Sequence, residues 1–259
     1  MRHFDAQLDE LFKRIIMMGS LAESMIQSAI RAYSEGNETL ANDVYTKEDQ
    51  VNALQVEVDN TAVKLTTLQQ PVASDARFLF MASRIGGELE RIGDQSINIA
   101  QNTHYALEGP PPIKPLVDLP IMASVVQKMV RTSMAAMAGR DVMLANEVLQ
   151  YDDQVDAFRD QIFRILLTHM MADPRTIQQS LSLILMARNL ERIGDHATNI
   201  AEEVIYWIQG RDIRHAKPHR DRSMRSIAAA AQSSEQPPPE YRDSPQPQPP
   251  SQPQSQPET

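Results

Sequence analysis

Two pairs of carboxylates are the residues of this chain best placed to do chemistry. Glu90 and Asp94 are four residues apart, and Glu191 and Asp195 repeat the same spacing. On a helix, residues at this spacing project from the same face, one turn apart. Carboxylates from neighbouring helices are the hard oxygen ligands with which helical bundles hold divalent or ferric cations. The spacing therefore indicates two candidate metal sites, one in each half of the chain.

Each carboxylate pair lies within a repeated motif. Glu-Arg-Ile-Gly-Asp occurs at 90–94 and at 191–195, and Asn-Ile-Ala follows both copies at the same distance, with a constant offset of 101. An earlier block, Leu-Ala-Asn at 40–42, returns at 144–146 with an offset of 104. Three residues are therefore missing from the second copy, and we place the gap in the turn before the motif helix. A duplicated unit of roughly 100 residues is long enough to form its own core.

Apolar periodicity predicts three helices in the first half. The first runs from Phe4 to Tyr33 and ends at Gly36, after which Asn37 caps a second helix that reaches Gln70. Ser74 or Asp75 is expected to cap the third helix, which carries the first motif.

The second half repeats this scheme. A helix from Leu119 to Ala138 ends at Gly139, and Asp141 opens another that reaches His169. Asp173 and Pro174 are the expected N-cap and first position of the last helix, which ends at Gly210. The fold class predicted is all-α, with two tandem antiparallel three-helix bundles at 1–107 and 119–212.

The segments outside the two bundles differ in composition. Residues 108–118 form a linker that contains Gly109-Pro110-Pro111-Pro112. Residues 213–259 begin with a basic flank and continue into a stretch dominated by Pro, Gln, Ser and Glu, which holds 9 of the 17 prolines between Gln236 and Thr259. So few apolar residues do not offset the entropy of ordering, and we expect this tail to be disordered. The flank is either a solvated segment or a contact for an acidic partner or anionic membrane.

The composition excludes several classes of protein. The chain has 259 residues, of which 42% are hydrophobic and only 5% aromatic, a profile that favours helices. It contains no cysteine, which excludes disulfides and thiolate metal sites. A formal net charge of -9 argues against general nucleic-acid binding. We find neither an apolar signal core nor a run of about 20 apolar residues, and we expect a cytoplasmic protein.

Antiparallel packing is expected to collect acidic residues at one height of each bundle. In the first half, Glu90 is expected opposite Asn52 and Asp94 opposite Glu48. In the second half, Glu191 is expected level with Asp152, and Asp195 with Glu147 or Val148. The resulting candidate ligands are Glu48, Asp49, Glu90 and Asp94 in the first bundle, and Asp152, Asp153, Asp156, Glu191 and Asp195 in the second.

The alternative to a metal site is a solvated acidic face. Arg84 precedes Glu88 by four residues and Arg188 precedes Glu191 by three, so intrahelical ion pairs would explain part of the charge pattern. His196 is a possible nitrogen ligand, but its counterpart in the first copy is Gln95.

One glycine lies inside each predicted motif helix. Gly93 and Gly194 stand in mid-helix at a cost of about 1 kcal/mol each, which indicates close approach of a neighbouring helix.

There is no Gly-rich phosphate loop and no nucleophile motif, so nothing in the sequence indicates an enzyme.

These features together resemble the PhoU family of bacterial phosphate-transport regulators. The resemblance rests on the twin Leu-Glu-Arg-Ile-Gly-Asp motifs at 89–94 and 190–195, the turn at 70–75 and its partner at 173–175, and it covers about residues 4–210. It implies two three-helix bundles related by pseudo-twofold symmetry, often assembled as a homodimer. It also implies a non-catalytic negative regulator of the phosphate-starvation response, which couples the ATPase subunit of the phosphate-specific ABC transporter to a sensor histidine kinase.

The resemblance also extends to metals. Some members of the family bind multinuclear iron or zinc clusters, and others bind magnesium or manganese. The residues that match their motifs are Glu90 and Asp94, and Glu191 and Asp195. Asp152 and Asp156 of the second half correspond to Glu48 and Asn52, so the first site is expected to be weaker or differently metallated.

Two other functions stay open. A carboxylate-bridged metalloenzyme would use the same acidic residues, but such enzymes add paired Glu-x-x-His ligands that this sequence lacks. A phosphate-uptake accessory protein with no kinase partner would differ from the leading hypothesis only in what it binds.

Overall fold

The protein is built from six long helices. The computed structural model describes residues 2–107 and 118–213, and these segments contain no strand. The expected linker at 108–118 and tail at 213–259 therefore fall almost entirely outside the residues described. The helices are α1 Arg2–Glu35, α2 Glu38–Gln69, α3 Ala73–Leu107, α4 Leu119–Gly139, α5 Val142–Ala172 and α6 Ile177–Gln209.

Most of the predicted helix ends are confirmed. Gly36 and Gly210 adopt left-handed backbone conformations with φ of 63° and 66°, which only glycine adopts without strain. The side chain of Asn37 accepts a hydrogen bond from the amide of Thr39 and caps α2. Asp141 accepts hydrogen bonds from the amides of Met143 and Leu144 and caps α5 in the same way.

Two ends of the first and second bundles differ from the prediction. Helix α3 already begins at Ala73, so Ser74 and Asp75 lie within its first turn, where the negative charge of Asp75 favours the helix N-terminus. Helix α4 includes Gly139, and the left-handed residue that follows is Arg140, with φ of 50°. The Arg140 guanidinium lies 4.6 Å from the ring centre of Trp207 on α6, a cation–π contact that offsets part of the backbone strain.

The turn before α6 is longer than expected. Helix α5 continues to Ala172, and Pro174–Thr176 forms a separate 3-10 turn before α6 begins at Ile177. The Asp173 side chain accepts a hydrogen bond from the amide of Arg175, so it caps this 3-10 turn rather than α6 itself. The centre of the turn therefore lies later in the chain than the sequence indicates, which changes the residues that face each other across α5 and α6.

The helices form two bundles that pack against each other. Helix α1 contacts α2 and α3, and α4 contacts α5 and α6, as in two antiparallel three-helix bundles. The bundles meet where α3 packs along α6 and where α1 packs along α4. We call the contact between α3 and α6 the seam.

The motif glycines hold the three helices of each bundle together. A Cβ atom on Gly93 would lie 3.4 Å from Met25 of α1 and 3.9 Å from Val51 of α2. A Cβ atom on Gly194 would lie 3.7 Å from the equivalent methionine, Met129 of α4, and 3.5 Å from the equivalent valine of α5. Both motif glycines thus face neighbouring helices through the same residue types, at distances that leave room for a Cβ atom, so the close approach predicted for them stays a prediction.

Within residues 2–107 and 118–213, no helix is both long and apolar enough to cross a membrane.

Candidate functional site

Three carboxylates of the first bundle influence one another, and we call Glu48, Glu90 and Asp94 the first acidic patch. Burial raises the pKa of Glu90, and the negative charges of Asp94 and Glu48 raise it further, against the opposing charges of Arg91 and His196. Asn52 donates a hydrogen bond to Glu48 from the next turn of α2. Burial and the neighbouring carboxylates therefore both disfavour the charged form of Glu90.

The remaining acidic candidate of the first half is Asp49. Asp49 and Asp94 are exposed, whereas Glu48 and Glu90 are half-buried, and Asp49 is not among the charges that shift the pKa of Glu90. The sequence therefore placed Glu48, Glu90 and Asp94 together correctly on facing helices.

In the second bundle an arginine contacts the motif glutamate. Arg159 of α5 lies 2.8 Å from Glu191, 3.3 Å from Asp156 and 2.9 Å from Asp160. We call Asp156 and Glu191, with Arg159 between them, the second acidic patch. Although burial disfavours its charge, these carboxylates raise the pKa of Arg159 above its ordinary value. A permanently charged guanidinium thus offsets part of the negative charge of this patch.

The expected register of α5 against α6 is wrong by more than one turn. Gly194 packs against Val155, and Glu191 is contacted by Arg159 rather than lying level with Asp152. The late turn at Pro174–Thr176 causes this shift. Asp152 and Asp195 are half-buried and Asp153 is exposed.

The carboxylates of the two patches differ from an assembled metal site in their arrangement. Among the residues described, no group of three or more His, Asp or Glu side chains is placed so that it could hold an ion. The first acidic patch has the hard oxygen donors that Mg²⁺, Mn²⁺ or ferric iron prefer, but their side chains do not converge on one point. In the second acidic patch a guanidinium occupies the position between the carboxylates.

Arg84 and Glu191, which were expected to form intrahelical ion pairs, have ion-pair partners on neighbouring helices. Arg84 of α3 contacts Glu203 of α6 through one guanidinium nitrogen, at 3.0 Å and 3.3 Å from the two carboxylate oxygens. Glu191 is contacted by Arg159 of the neighbouring helix. His196 contacts Glu88 across the seam, at 2.7 Å from Nδ1 to Oε2, and is not directed at the motif carboxylates.

Glu88 has several polar partners at the seam. Besides His196, it accepts a hydrogen bond of 3.1 Å from Asn199, and its other oxygen lies 3.6 Å from Arg91. Burial alone would raise the pKa of Glu88, but the His196 and Asn199 hydrogen bonds and the nearby positive charges lower it below the ordinary value. Glu88 is therefore ionised at neutral pH.

A cleft of about 500 Å³ opens along this part of the seam. We call it the seam cleft; it is lined by Ser83, Arg84, Gly87, Glu88, Arg91, Asn199 and Glu203. Sequence reasoning missed it, because its residues come from both bundles and only Arg91 and Asn199 belong to the repeated motif. One signal was present. Glu88 and Glu203 are charged at positions where the other copy has Asn189 and Asn102.

The fold and these sites define a class: a duplicated, all-helical protein with one Glu-x-x-x-Asp motif in each three-helix bundle. Comparisons with known proteins agree. The PhoU domain family model matches residues 15–103 and again residues 119–204. The chain is 38% identical over 214 residues to a phosphate-specific transport system accessory protein PhoU homolog of Pseudomonas aeruginosa, covering 83% of this chain and 88% of that protein. The chain therefore belongs to the PhoU family.

Further relatives extend over the same region. A protein of the same description from Zymomonas mobilis is 38% identical over 226 residues, covering 87% of this chain and 93% of its own. The crystal structure of PhoU from Pseudomonas aeruginosa superposes with a TM-score of 0.76 at 37% identity, over 80% of this chain and all of the other. The regulatory protein PhoU of Streptococcus pneumoniae gives 0.74 at 24% identity over 81% and 98%, and shows the shared fold.

Proposed function

We propose that this protein is an accessory regulator of phosphate-specific transport and acts without catalysing a reaction. One observation carries the proposal: relatives named as accessory proteins of the phosphate-specific transport system match 83% to 87% of this chain at 38% identity. The twin motifs and their glycine contacts fit an adaptor whose function lies in its surfaces.

The finer form of the proposal concerns the partners. We propose that the protein works in the cytoplasm as a homodimer and links the ATPase subunit of a phosphate ABC transporter to a sensor histidine kinase. In this role it represses the phosphate-starvation response when phosphate is plentiful. No nucleic acid takes part, in keeping with the net charge of -9.

Deletion of the gene tests this role directly. In phosphate-rich medium, a deletion strain should express its phosphate-starvation genes, and a plasmid copy of the wild-type gene should restore repression. Repression that persists in the deletion strain would refute the regulatory role.

Co-purification from phosphate-replete cells tests the partners. Recovery of both the ABC ATPase and a histidine kinase supports the coupling. Recovery of a phosphate permease without a kinase supports instead an accessory protein for uptake alone. Light scattering of the purified protein measures the dimer, and a monomer at cellular concentration contradicts that part of the proposal.

We also propose that divalent or ferric ions (Fe, Zn, Mg or Mn) bind preferentially at the first acidic patch. The reason is electrostatic, because Asp94 and Glu48 add to the burial that raises the pKa of Glu90, whereas Arg159 pairs with Glu191 and Asp156 at the second patch. A cation at the second patch would have to displace a guanidinium that already forms charged hydrogen bonds. This order is the reverse of the one expected from the sequence.

Paired variants test the order of the sites. Protein purified without oxygen is analysed for metal by mass spectrometry as wild type, as Glu90→Ala/Asp94→Ala and as Glu191→Ala/Asp195→Ala. The first double variant should lose metal and the second should retain it, and Arg159→Gln should raise occupancy. Equal metal content in all four proteins would contradict both the ligands and their order.

A further inference from the structure

The seam cleft differs from its own symmetry-related position in the fold. The residues equivalent to Ser83, Arg84 and Glu88 of the first copy are Ile184, Leu185 and Asn189 in the second. From the opposite helix, Asn199 is retained as Asn98, but Glu203 becomes Asn102. The duplicated core needs none of these charges, because the second copy packs without them. Gly87 and Arg91 are replaced by Arg188 and Arg192 at the second position, so the two positions hold different charges, and the pair of glutamates occurs only at the first.

Gly87 supplies an independent observation at the centre of the cleft. A glycine inside a helix costs about 1 kcal/mol relative to alanine, and Gly86 and Gly93 of the same helix each face a neighbouring helix at van der Waals distance. A Cβ atom on Gly86 would meet Val58 at 3.5 Å, and one on Gly93 would meet Met25 at 3.4 Å. A Cβ atom on Gly87 would meet nothing within 4 Å. Packing does not require this glycine, and its effect is to leave the floor of the cleft open.

Two arginines stand on either side of this open floor. Arg84 lies three residues before Gly87 and Arg91 lies four after it, so all three share one helix face. The side chains of Arg84 and Arg91 are 47% and 61% exposed. Their backbones are about 10 Å apart along the helix, a gap that two long side chains can close around a small ligand.

The hydrogen-bond donors of these arginines are only partly used. Arg84 contacts Glu203 through one nitrogen alone, and the nearest approach of Arg91 to Glu88, at 3.6 Å, is longer than a hydrogen bond. Within the described part of the chain, no other contact of their guanidinium groups is found. The two carboxylates, by contrast, already accept hydrogen bonds from His196, Asn199 and Arg84. The cleft therefore offers more donors than acceptors to a ligand.

We propose that the seam cleft binds the phosphate group of a small anion between Arg84 and Arg91, over Gly87. A planar guanidinium matches the oxygens of phosphate with two parallel hydrogen bonds, and a tetrahedral anion presents oxygens to two such groups at once. The volume of about 500 Å³ accommodates inorganic phosphate or a small organic phosphate. Two arginines and two glutamates balance in charge, so affinity comes from directed hydrogen bonds, and we expect a Kd of about 1 mM or tighter.

This inference does not depend on the proposed regulatory role. It concerns a different surface from the acidic patches, and it is tested on purified protein instead of on gene expression. Failure of one therefore leaves the other intact.

Titration calorimetry with the purified full-length chain tests the proposal with inorganic phosphate and with adenosine monophosphate as probes. Saturable binding of inorganic phosphate supports a free-phosphate site, and binding of the nucleotide alone supports an organic phosphate. Arg84→Leu, which copies the residue at 185, and Arg91→Gln should each weaken binding about tenfold or more. Arg192→Gln alters the counterpart of Arg91 outside the cleft and should leave binding unchanged.

A blocking variant separates loss of the site from loss of the fold. Gly87→Leu places a side chain over the cleft floor where a Cβ meets no neighbour, so the thermal midpoint of unfolding should not fall, while binding should be lost. The proposal is overturned if neither probe binds saturably to the wild type. It is also overturned if Gly87→Leu or both arginine variants bind as the wild type does.

Discussion

Glu90 of the first bundle and Glu191 of the second occupy equivalent positions in a duplicated motif, yet their surroundings are opposite in charge. Glu90 is near Asp94 and Glu48, which raise its pKa together with burial. Glu191 is held 2.8 Å from Arg159. The residue equivalent to Arg159 in the first bundle is Gln55, which donates a hydrogen bond to Asp59 instead. One difference on a neighbouring helix, Gln55 against Arg159, thus decides whether the motif glutamate has a cationic partner there.

The same comparison shows what the duplication has kept. Gly93 with Met25 and Val51, and Gly194 with Met129 and Val155, form matching contacts in the two cores. Apolar packing constrains both copies equally, because interiors are close-packed and tolerate few changes of shape. Surface charge is free of that constraint, and it is there that the copies have diverged.

The largest expected effect tests the equality of the two cores. Leu89 and Leu190 begin the two motifs and are both fully buried. Leu89→Ala and Leu190→Ala should each lower the free energy of unfolding by about 2–5 kcal/mol, the usual range for a buried leucine. Urea unfolding followed by circular dichroism measures both. If one variant were nearly neutral, the cores would not be equivalent.

The next effect tests the inequality of the patches. Arg159→Gln removes a guanidinium from three carboxylates of which two are half-buried, and it should lower the free energy of unfolding by about 1–2 kcal/mol. The reciprocal variant, Gln55→Arg, brings a cation near Glu90 and should stabilise the protein by less than about 1 kcal/mol. Urea unfolding at low and high salt measures both effects, which should shrink with salt. Destabilisation by Gln55→Arg would contradict the assignment of excess negative charge to the first patch.

The smallest effect depends on pH. The pKa of Glu90 is raised in the folded protein, so between its unfolded and folded pKa values the folded state binds more protons. Stability is therefore gained as pH falls through the folded pKa, and lost as pH rises. Glu90→Gln should stabilise the protein at pH 7, by less than about 1 kcal/mol, and should flatten the decline in stability above about pH 4.5.

Glu191→Gln is the matched control for this pH effect. It removes the negative charge from a 2.8 Å ion pair with Arg159, and should destabilise the protein at pH 7. Thermal unfolding of the two variants between about pH 4 and pH 8 gives the comparison. Shifts of the same sign at pH 7 would show that the two glutamates do not differ as the structure indicates.

The two bundles could be predicted because the apolar residues that pack the helices recur along the sequence. The caps Asn37 and Asp141 and the stop at Gly210 are local signals with local causes, and the structure confirms them. The register of α5 on α6 was predicted wrongly, because the sequence does not reveal that Pro174–Thr176 forms a 3-10 turn instead of the first turn of α6.

The seam was beyond sequence reasoning for another physical reason. Glu88 and His196 are 108 residues apart, and so Glu88 and its partner come together only after both bundles have folded and docked. The local spacing of Arg84 and Glu88 favoured an ion pair within one helix. The structure uses Arg84 to bind Glu203 across the seam, because docking places a buried carboxylate within its reach.

Arg84 pairs with Glu203 at one end of the α3–α6 contact, and the equivalent residues at the other end are Leu185 and Asn102. The contact between the two bundles is therefore asymmetric. Two bundles of identical sequence would have two equivalent ends, and a ligand or partner could bind in either orientation. Here the two ends of the α3–α6 contact differ in charge, so a charged ligand or partner has one preferred orientation.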